Sequence, residues 1–159
     1  MNDYFLCKLL SNALSSPVIK QNTDPKRTVV AIGIGSETKA IYTIGYNNVG
    51  LSKRPFRDEN NITHKYVLHA EEDMLLKLLS MEKLKEKLTV IINYAPCEHC
   101  AAMLVSSRIV DRVLYKELLN GHTEGIKYIQ EHSRIDIRQL DEQSTSINWS
   151  NPTVSREIW

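Results

Sequence analysis

His69, Cys97 and Cys100 are residue types that bind transition metals, and Glu71, beside the histidine, is of a type that moves protons. The cysteines follow a proline in the run Pro96-Cys97-Glu98-His99-Cys100. Proline at the start of a helix gives up only an amide that has no partner there. The run therefore predicts a helix from Cys97 to Ser107 with both sulfurs in its first turn. Residues three apart share a helix face, and free amides with the positive end of the helix dipole favour thiolates, the form zinc binds. His69 and Glu71 are two apart and would diverge in mid-helix. They make sense together if they begin a helix, because side chains there lean back toward the N-terminus and can converge beyond it. Two helix starts would then face one metal. Three protein ligands leave the fourth tetrahedral position of zinc to water, the arrangement of a catalytic site.

The combination His-x-Glu with Pro-Cys-x-x-Cys is the pattern of zinc nucleobase deaminases. Zinc lowers the pKa of bound water toward about 7, so hydroxide is available at neutral pH. Glu71 is suited to take the water's proton and return it to the ring and the leaving amine, without being a ligand. Attack at C4 of cytosine would give uracil and ammonia. Neighbouring residues read differently. Glu72 and Asp73 are first-turn acids that favour the helix dipole. His99 is turned away from the cysteine face, and Cys7 lies in an apolar helical stripe that suits a core. His64, His122 and His132 lack partner spacing, and of these His122 is best placed to reach a substrate.

Several elements must position this constellation. Phe5, Leu6, Leu9, Leu10 and Ala13 have helical spacing over roughly 3–15. Two β-branched runs, 28–34 and 40–46, flank Gly35-Ser36-Glu37-Thr38-Lys39 and predict a hairpin. No helix opens after Gly33-Ile34-Gly35, so those glycines end a strand and do not form a dinucleotide fingerprint. An irregular stretch spans 47–65 and contains Pro55; loops this long are often functional. A helix begins near Ala70, with Met74, Leu75, Leu78 and Leu79 on one face. Strands over 88–92, 112–115 and 135–140 then alternate with helices over 97–107 and about 123–132, which predicts parallel strands with covering helices.

The chain has 159 residues, with 42% hydrophobic and 25% charged residues and a net charge of +1. These values fit a single globular domain over 1–159, with a core over about 4–140 and a polar tail over 141–159. In that tail Trp149, Ile158 and Trp159 are candidates to dock on the body or on another subunit. The charge balance argues against a polynucleotide partner. No apolar run is long enough for a membrane span, and Met1-Asn2-Asp3-Tyr4-Phe5-Leu6 lacks the features of a signal peptide. The expected location is cytoplasmic. Three cysteines are too few for a disulfide scaffold.

The sequence resembles the cytidine/deoxycytidylate deaminase superfamily, and within it the deoxycytidylate deaminases, from about Tyr4 to Leu140. The likeness lies in Asp24-Pro25-Lys26-Arg27-Thr28-Val29, in Gly45-Tyr46-Asn47 and in Tyr66-Val67-Leu68-His69-Ala70-Glu71, besides the cysteine run. It implies a three-layer α/β/α sandwich with a five-stranded mixed sheet, one catalytic Zn2+ per chain and usually a homohexamer. It also implies a small-molecule cytosine nucleotide as substrate, with dCMP converted to dUMP and ammonia. In this likeness the Asn47 side chain contacts the sugar, and backbone groups of Ala70 and Ala95 read the base edge. His69 as first ligand argues against the small free-cytidine deaminases. The missing Leu-Glu-Pro-Cys form argues against the tRNA adenosine deaminases. Allosteric relatives respond to dCTP and dTTP through the region after Gly-Tyr-Asn, where many have Gly and this chain reads Asn48-Val49-Gly50. Val30 stands where relatives often have Gly, and 116–122 shows no counterpart of a substrate-contacting Tyr found in some of them. The alternatives are another substrate, such as dCTP, a nucleoside, a purine or a pterin-like ring, or a structural zinc module that binds a partner. Candidate cations for a 5′ phosphate are Lys20, Lys26, Arg27, Lys53, Arg54 and Arg57, which the sequence does not rank.

Overall fold

The structure, a computed structural model, describes residues 1–81 and 84–142. Trp149, Ile158 and Trp159 lie outside the described residues. Helices α1 (Asp3–Leu14) and α2 (Pro17–Asn22) lead into the antiparallel hairpin β1 (Val30–Gly35) and β2 (Ile41–Tyr46). After a long connection come α3 (Ala70–Leu78), β3 (Leu88–Tyr94), α4 (Glu98–Ser107), β4 (Val110–Glu117), α5 (Glu124–His132) and β5 (Asp136–Gln139). The five strands form one mixed sheet in the order β2-β1-β3-β4-β5. β1 runs antiparallel to both neighbours, while β3, β4 and β5 are parallel, with α4 and α5 as the crossovers that parallel pairing requires. The short helix α2 within 17–22 was not foreseen. It starts with Pro17 in the first turn, where its missing amide costs nothing.

The period-two alternation of the strands divides the core into two layers. Val30, Ile32, Ile34, Ile91 and Leu114 face Leu6, Cys7 and Leu10 of α1, so Cys7 is a core residue as its stripe predicts. Ala31, Val90, Ile92 and Val113 face the other way, against Ala70 and Met74 of α3, Ala101 and Leu104 of α4 and Ile129 of α5. The result is the expected three-layer sandwich. Val30 is fully buried in the α1 layer, which explains a large apolar residue at that position.

Two glycines set how closely the helices approach the site. A Cβ on Gly45 would lie 2.3 Å from the Ala70 carbonyl oxygen and 2.3 Å from the Met74 amide nitrogen, so β2 carries α3 in direct backbone contact. A Cβ on Gly125 would lie 1.9 Å from the Pro96 carbonyl oxygen, where α5 presses on the entry to α4.

The stretch 47–69 is more ordered than its composition suggests. Asn48 bridges to Leu68, and Arg57 to Thr63, folding the chain back on itself. At its tip the Asp58 carboxylate accepts from the amides of Asn60 and Ile62, both at 2.9 Å. The Arg54 guanidinium lies 3.8 Å from the Tyr66 ring centroid, and His64 stacks on the same ring at 4.7 Å.

Candidate metal centre and the cavity beside it

His69 occupies the N-cap of α3, and its amide donates to Glu72 Oε1 at 3.0 Å. Glu72 is thus tied up at the helix start. Asp73 accepts from the Tyr46 amide at 3.1 Å and pairs with Lys77 at 2.8 Å. Both acids serve the helix and its docking on β2, as their first-turn position suggests. Cys97 is the N-cap of α4, with φ −70° and ψ 169°. Its sulfur accepts from the Cys100 amide at 3.5 Å. The helix therefore begins at Glu98 and not at Cys97, and Pro96 stands just outside it. A side chain that caps the first turn has to sit on extended backbone, so the cysteine is displaced from the helix proper.

These two caps bring the ligands together. His69 Nδ1 lies 3.6 Å from Cys97 Sγ and 3.3 Å from Cys100 Sγ. One ligand atom from each residue falls within 4.8 Å of the others, and no fourth protein ligand joins the group among the described residues. Tetrahedral zinc with Zn–S of about 2.3 Å and Zn–N of about 2.0–2.1 Å needs N···S separations of roughly 3.5 Å. The donor set and its spacing fit zinc. His99 does not take part: it is exposed and its nearest acid is Glu72, at 3.9 Å.

The protons of the cluster are distributed by contact and burial. Cys97 is pulled down to about 3, by the hydrogen bond from the Cys100 thiol and then by His69, against the effect of burial. Cys100 holds its proton, because it donates to Cys97 and is buried. His69 is raised to about 8, chiefly by its contact with Cys97. Glu71, only 4% exposed, is raised to about 7 by burial and then by the Cys97 charge.

His69, Cys97 and Glu71 open onto a cavity of about 280 Å³. Asn47, Ala70 and Ala95 line it too, so every sequence-derived site residue except the buried Cys100 lines one space. The Asn47 amide is heavily used: Oδ1 accepts from Thr23 Oγ1 at 2.7 Å and the Val29 amide at 2.9 Å, while Nδ2 donates to the Arg27 carbonyl at 2.8 Å. These partners fix its orientation, since a backbone amide only donates and a carbonyl only accepts. The Ala95 amide donates to the Glu117 carbonyl at 2.8 Å. His122 does not line the cavity; it is exposed and faces Glu124 at 3.5 Å, and Leu119 takes the place on the wall from that loop. Of the six candidate cations, Arg27 and Arg57 reach the cavity. Asp24, Thr63 and Val67 also line it and were not foreseen as site residues. The only sequence signal for Asp24 and Val67 was membership of the Asp-Pro and Tyr-Val-Leu-His segments that carry the resemblance, and Thr63 lies outside both.

The model of the cytidine and deoxycytidylate deaminase zinc-binding region matches residues 6–117. The chain belongs to this family. It is 26% identical over 126 residues to a probable deoxycytidylate deaminase of Caenorhabditis elegans, covering 76% of this chain. The match spans 62% of that relative's length. The dCMP deaminase of cyanophage S-TIM5, in its apo form, superposes with a TM-score of 0.67 at 20% identity, over 87% of this chain and 99% of the other. The same enzyme in complex with dCMP and dUMP gives 0.62 at 23%, over 70% and 79%. The diaminohydroxyphosphoribosylaminopyrimidine deaminase/5-amino-6-(5-phosphoribosylamino)uracil reductase of Thermotoga maritima gives 0.54 at 15%, over 79% of this chain and 33% of the other. These likenesses establish the deaminase-type sandwich as the fold.

Proposed function

We propose that this deaminase-family chain hydrolyses the exocyclic amine of a cytosine nucleotide, converting dCMP to dUMP and ammonia. The observation that carries the reading is a buried carboxyl, Glu71, opening onto the same small cavity as a three-ligand zinc cluster. Bound zinc would lower the pKa of a water toward about 7 and so supply the attacking oxygen at neutral pH. Glu71 takes one proton of that water to the ring nitrogen and then carries the second, from the hydroxyl formed at C4, to the departing amine. Ammonia leaves as the C4–N bond breaks and the C4 carbonyl of uracil forms. The Ala95 amide is already committed, so what Ala95 offers the base edge is its carbonyl, an acceptor for the amine, and a backbone group of Ala70 reads the base edge with it. Asn47 has one Nδ2 hydrogen left for a sugar hydroxyl.

The same reading places the enzyme in the cytoplasm as a homo-oligomer, a hexamer by family resemblance. In its support, Ile44, Leu76 and Leu79 are exposed apolar residues on β2 and at the end of α3. Among the described residues no helix is long and apolar enough to cross a membrane. Zinc-loaded protein should release ammonia from dCMP with the absorbance change of cytosine to uracil. The screen would include dCTP, CMP and deoxycytidine as substrates, and dCTP and dTTP as effectors. Failure to turn over any cytosine compound would overturn the deaminase reading, and sedimentation would test the assembly.

A further inference from the structure

We infer that Arg27 and Arg57 form the end of the cavity that grips the substrate's 5′ phosphate, with Asp24 as the residue that positions Arg57. The inference rests on the nucleotide-deaminase reading and adds to it the groups that select a monophosphate.

Arg57 comes from the folded-back stretch between β2 and α3 and is largely buried, with its side chain 15% exposed. Its Nε donates to Asp24 Oδ2 at 2.9 Å, and Nη1 donates to the Asn61 carbonyl at 3.1 Å. A guanidinium has five N–H donors, so three remain on a side chain that lines the cavity. Asp24 is itself 3% exposed, and its other oxygen accepts from the Lys26 amide at 2.9 Å. One carboxylate thus fixes both the turn at 24–27 and the direction of the Arg57 fork. Arg27 lies in that turn. Its carbonyl is held by Asn47 Nδ2 and its amide donates to the Asp24 carbonyl at 3.1 Å, yet among the described residues its guanidinium has no hydrogen-bond or ion-pair partner.

The charges favour one phosphate group. Asp24 offsets Arg57, which leaves the charge of Arg27 uncompensated on the wall of a cavity that Glu71, His69 and Cys97 also line. Two arginines lining one cavity, one of them held as a planar fork by a carboxylate, suit the oxygens of a phosphate monoester. Beyond Arg57 a second cleft adjoins the first, with Asp24 and Arg57 lining both. Besides that pair the cleft carries Asp58 and Glu59 with Lys26 as the one further cation of its lining. A chain of further phosphates would extend toward these carboxylates, whose negative charge opposes it. The site therefore selects a nucleoside 5′-monophosphate over both the free nucleoside and the triphosphate.

The test compares dCMP, deoxycytidine and dCTP, by turnover and by calorimetric binding to zinc-loaded protein, in the wild type, Arg27→Gln and Arg57→Lys. Lysine at 57 keeps a charge beside Asp24, so the pair is not left as a lone buried carboxylate. Arg27→Gln removes a side chain without a protein partner. The wild type should prefer dCMP to the other two. Each variant should lose roughly ten- to a hundredfold of the preference for dCMP over deoxycytidine, the size expected for a hydrogen bond to a charged group. Variants that keep the wild-type preference would overturn the clamp, as would a wild type that uses deoxycytidine or dCTP as well as dCMP. If the wild type turns over none of the three, the deaminase reading fails, and the clamp is then judged by whether binding of dCMP over deoxycytidine weakens in the variants.

Discussion

Replacing Gly45 by alanine would place a methyl carbon 2.3 Å from both the Ala70 carbonyl oxygen and the Met74 amide nitrogen, and 2.8 Å from Met74 Cα. All three are backbone atoms of α3, so no side-chain rotation relieves the clash. Ordinary contact begins near 3.4 Å, and α3 must retreat by about 1 Å. Overpacking of this kind costs about 1–3 kcal/mol, and rigid neighbours place Gly45→Ala at the upper end. Retreat of α3 also carries His69 away from Cys97 and Cys100 on α4, whereas metal–ligand distances tolerate only about 0.2 Å. Two effects are expected: a loss of about 2–3 kcal/mol in denaturant unfolding of the zinc-free protein, and weaker zinc in competition with a chromophoric chelator. Gly33→Ala is the comparison. Its added methyl would meet the ends of side chains, Thr43 Cγ2 at 2.8 Å and Leu88 Cδ1 at 3.4 Å, which can turn aside. Its cost should be about 1 kcal/mol or less. A Gly45→Ala protein with the stability and zinc affinity of the wild type would refute the claim that this glycine seats the metal site.

Three further outcomes are expected. Glu71→Gln keeps the ligands, so metal analysis should find zinc retained while turnover falls by roughly 10²–10⁴-fold; normal turnover would remove Glu71 from the mechanism. Cys100→Ala should lose zinc by the same analysis and melt at a lower temperature, since ligand loss is coupled to folding. The third concerns Asp3, whose carboxylate accepts from Arg138 Nη1 and Nη2 at 2.8 and 2.9 Å and from the Asp141 amide at 2.7 Å. Burial opposes its charge, but these donors hold its pKa below the ordinary 3.8. A lowered carboxylate pKa contributes stability above the unfolded-state value and loses it as pH falls through the folded one. The gap between wild type and Asp3→Asn should be about 1–3 kcal/mol at pH 7 and close progressively below about pH 4. A gap independent of pH would refute the assignment.

Much of the site could be read from spacing because its parts are local. His69 with Glu71, and Cys97 with Cys100, are each set within one turn of a helix start, so caps and side-chain direction dictate their convergence. The strands and their alternation were equally legible, because Val30, Ile32 and Ile34 on one side and Ala31 and Gly33 on the other record the two faces of the sheet. Boundaries were read less well. Cys97 was placed inside α4, since nothing in the sequence shows that its sulfur acts as the cap. The stretch 47–65 looked irregular because its order comes from pairings across the fold-back and from aromatic contacts of Tyr66, which leave no period.

The sequence by itself therefore determined the metal chemistry, through two short motifs whose geometry is local. Tertiary structure alone decided which of six candidate cations line the cavity. Arg27 and Arg57 are 30 positions apart, and nothing periodic relates them. Both line one cavity: buried Asp24 draws in the guanidinium of Arg57, and Asn47 pins the backbone at Arg27. Such long-range pairing is fixed by burial and hydrogen-bond satisfaction in the folded chain, and those are properties of the packed molecule.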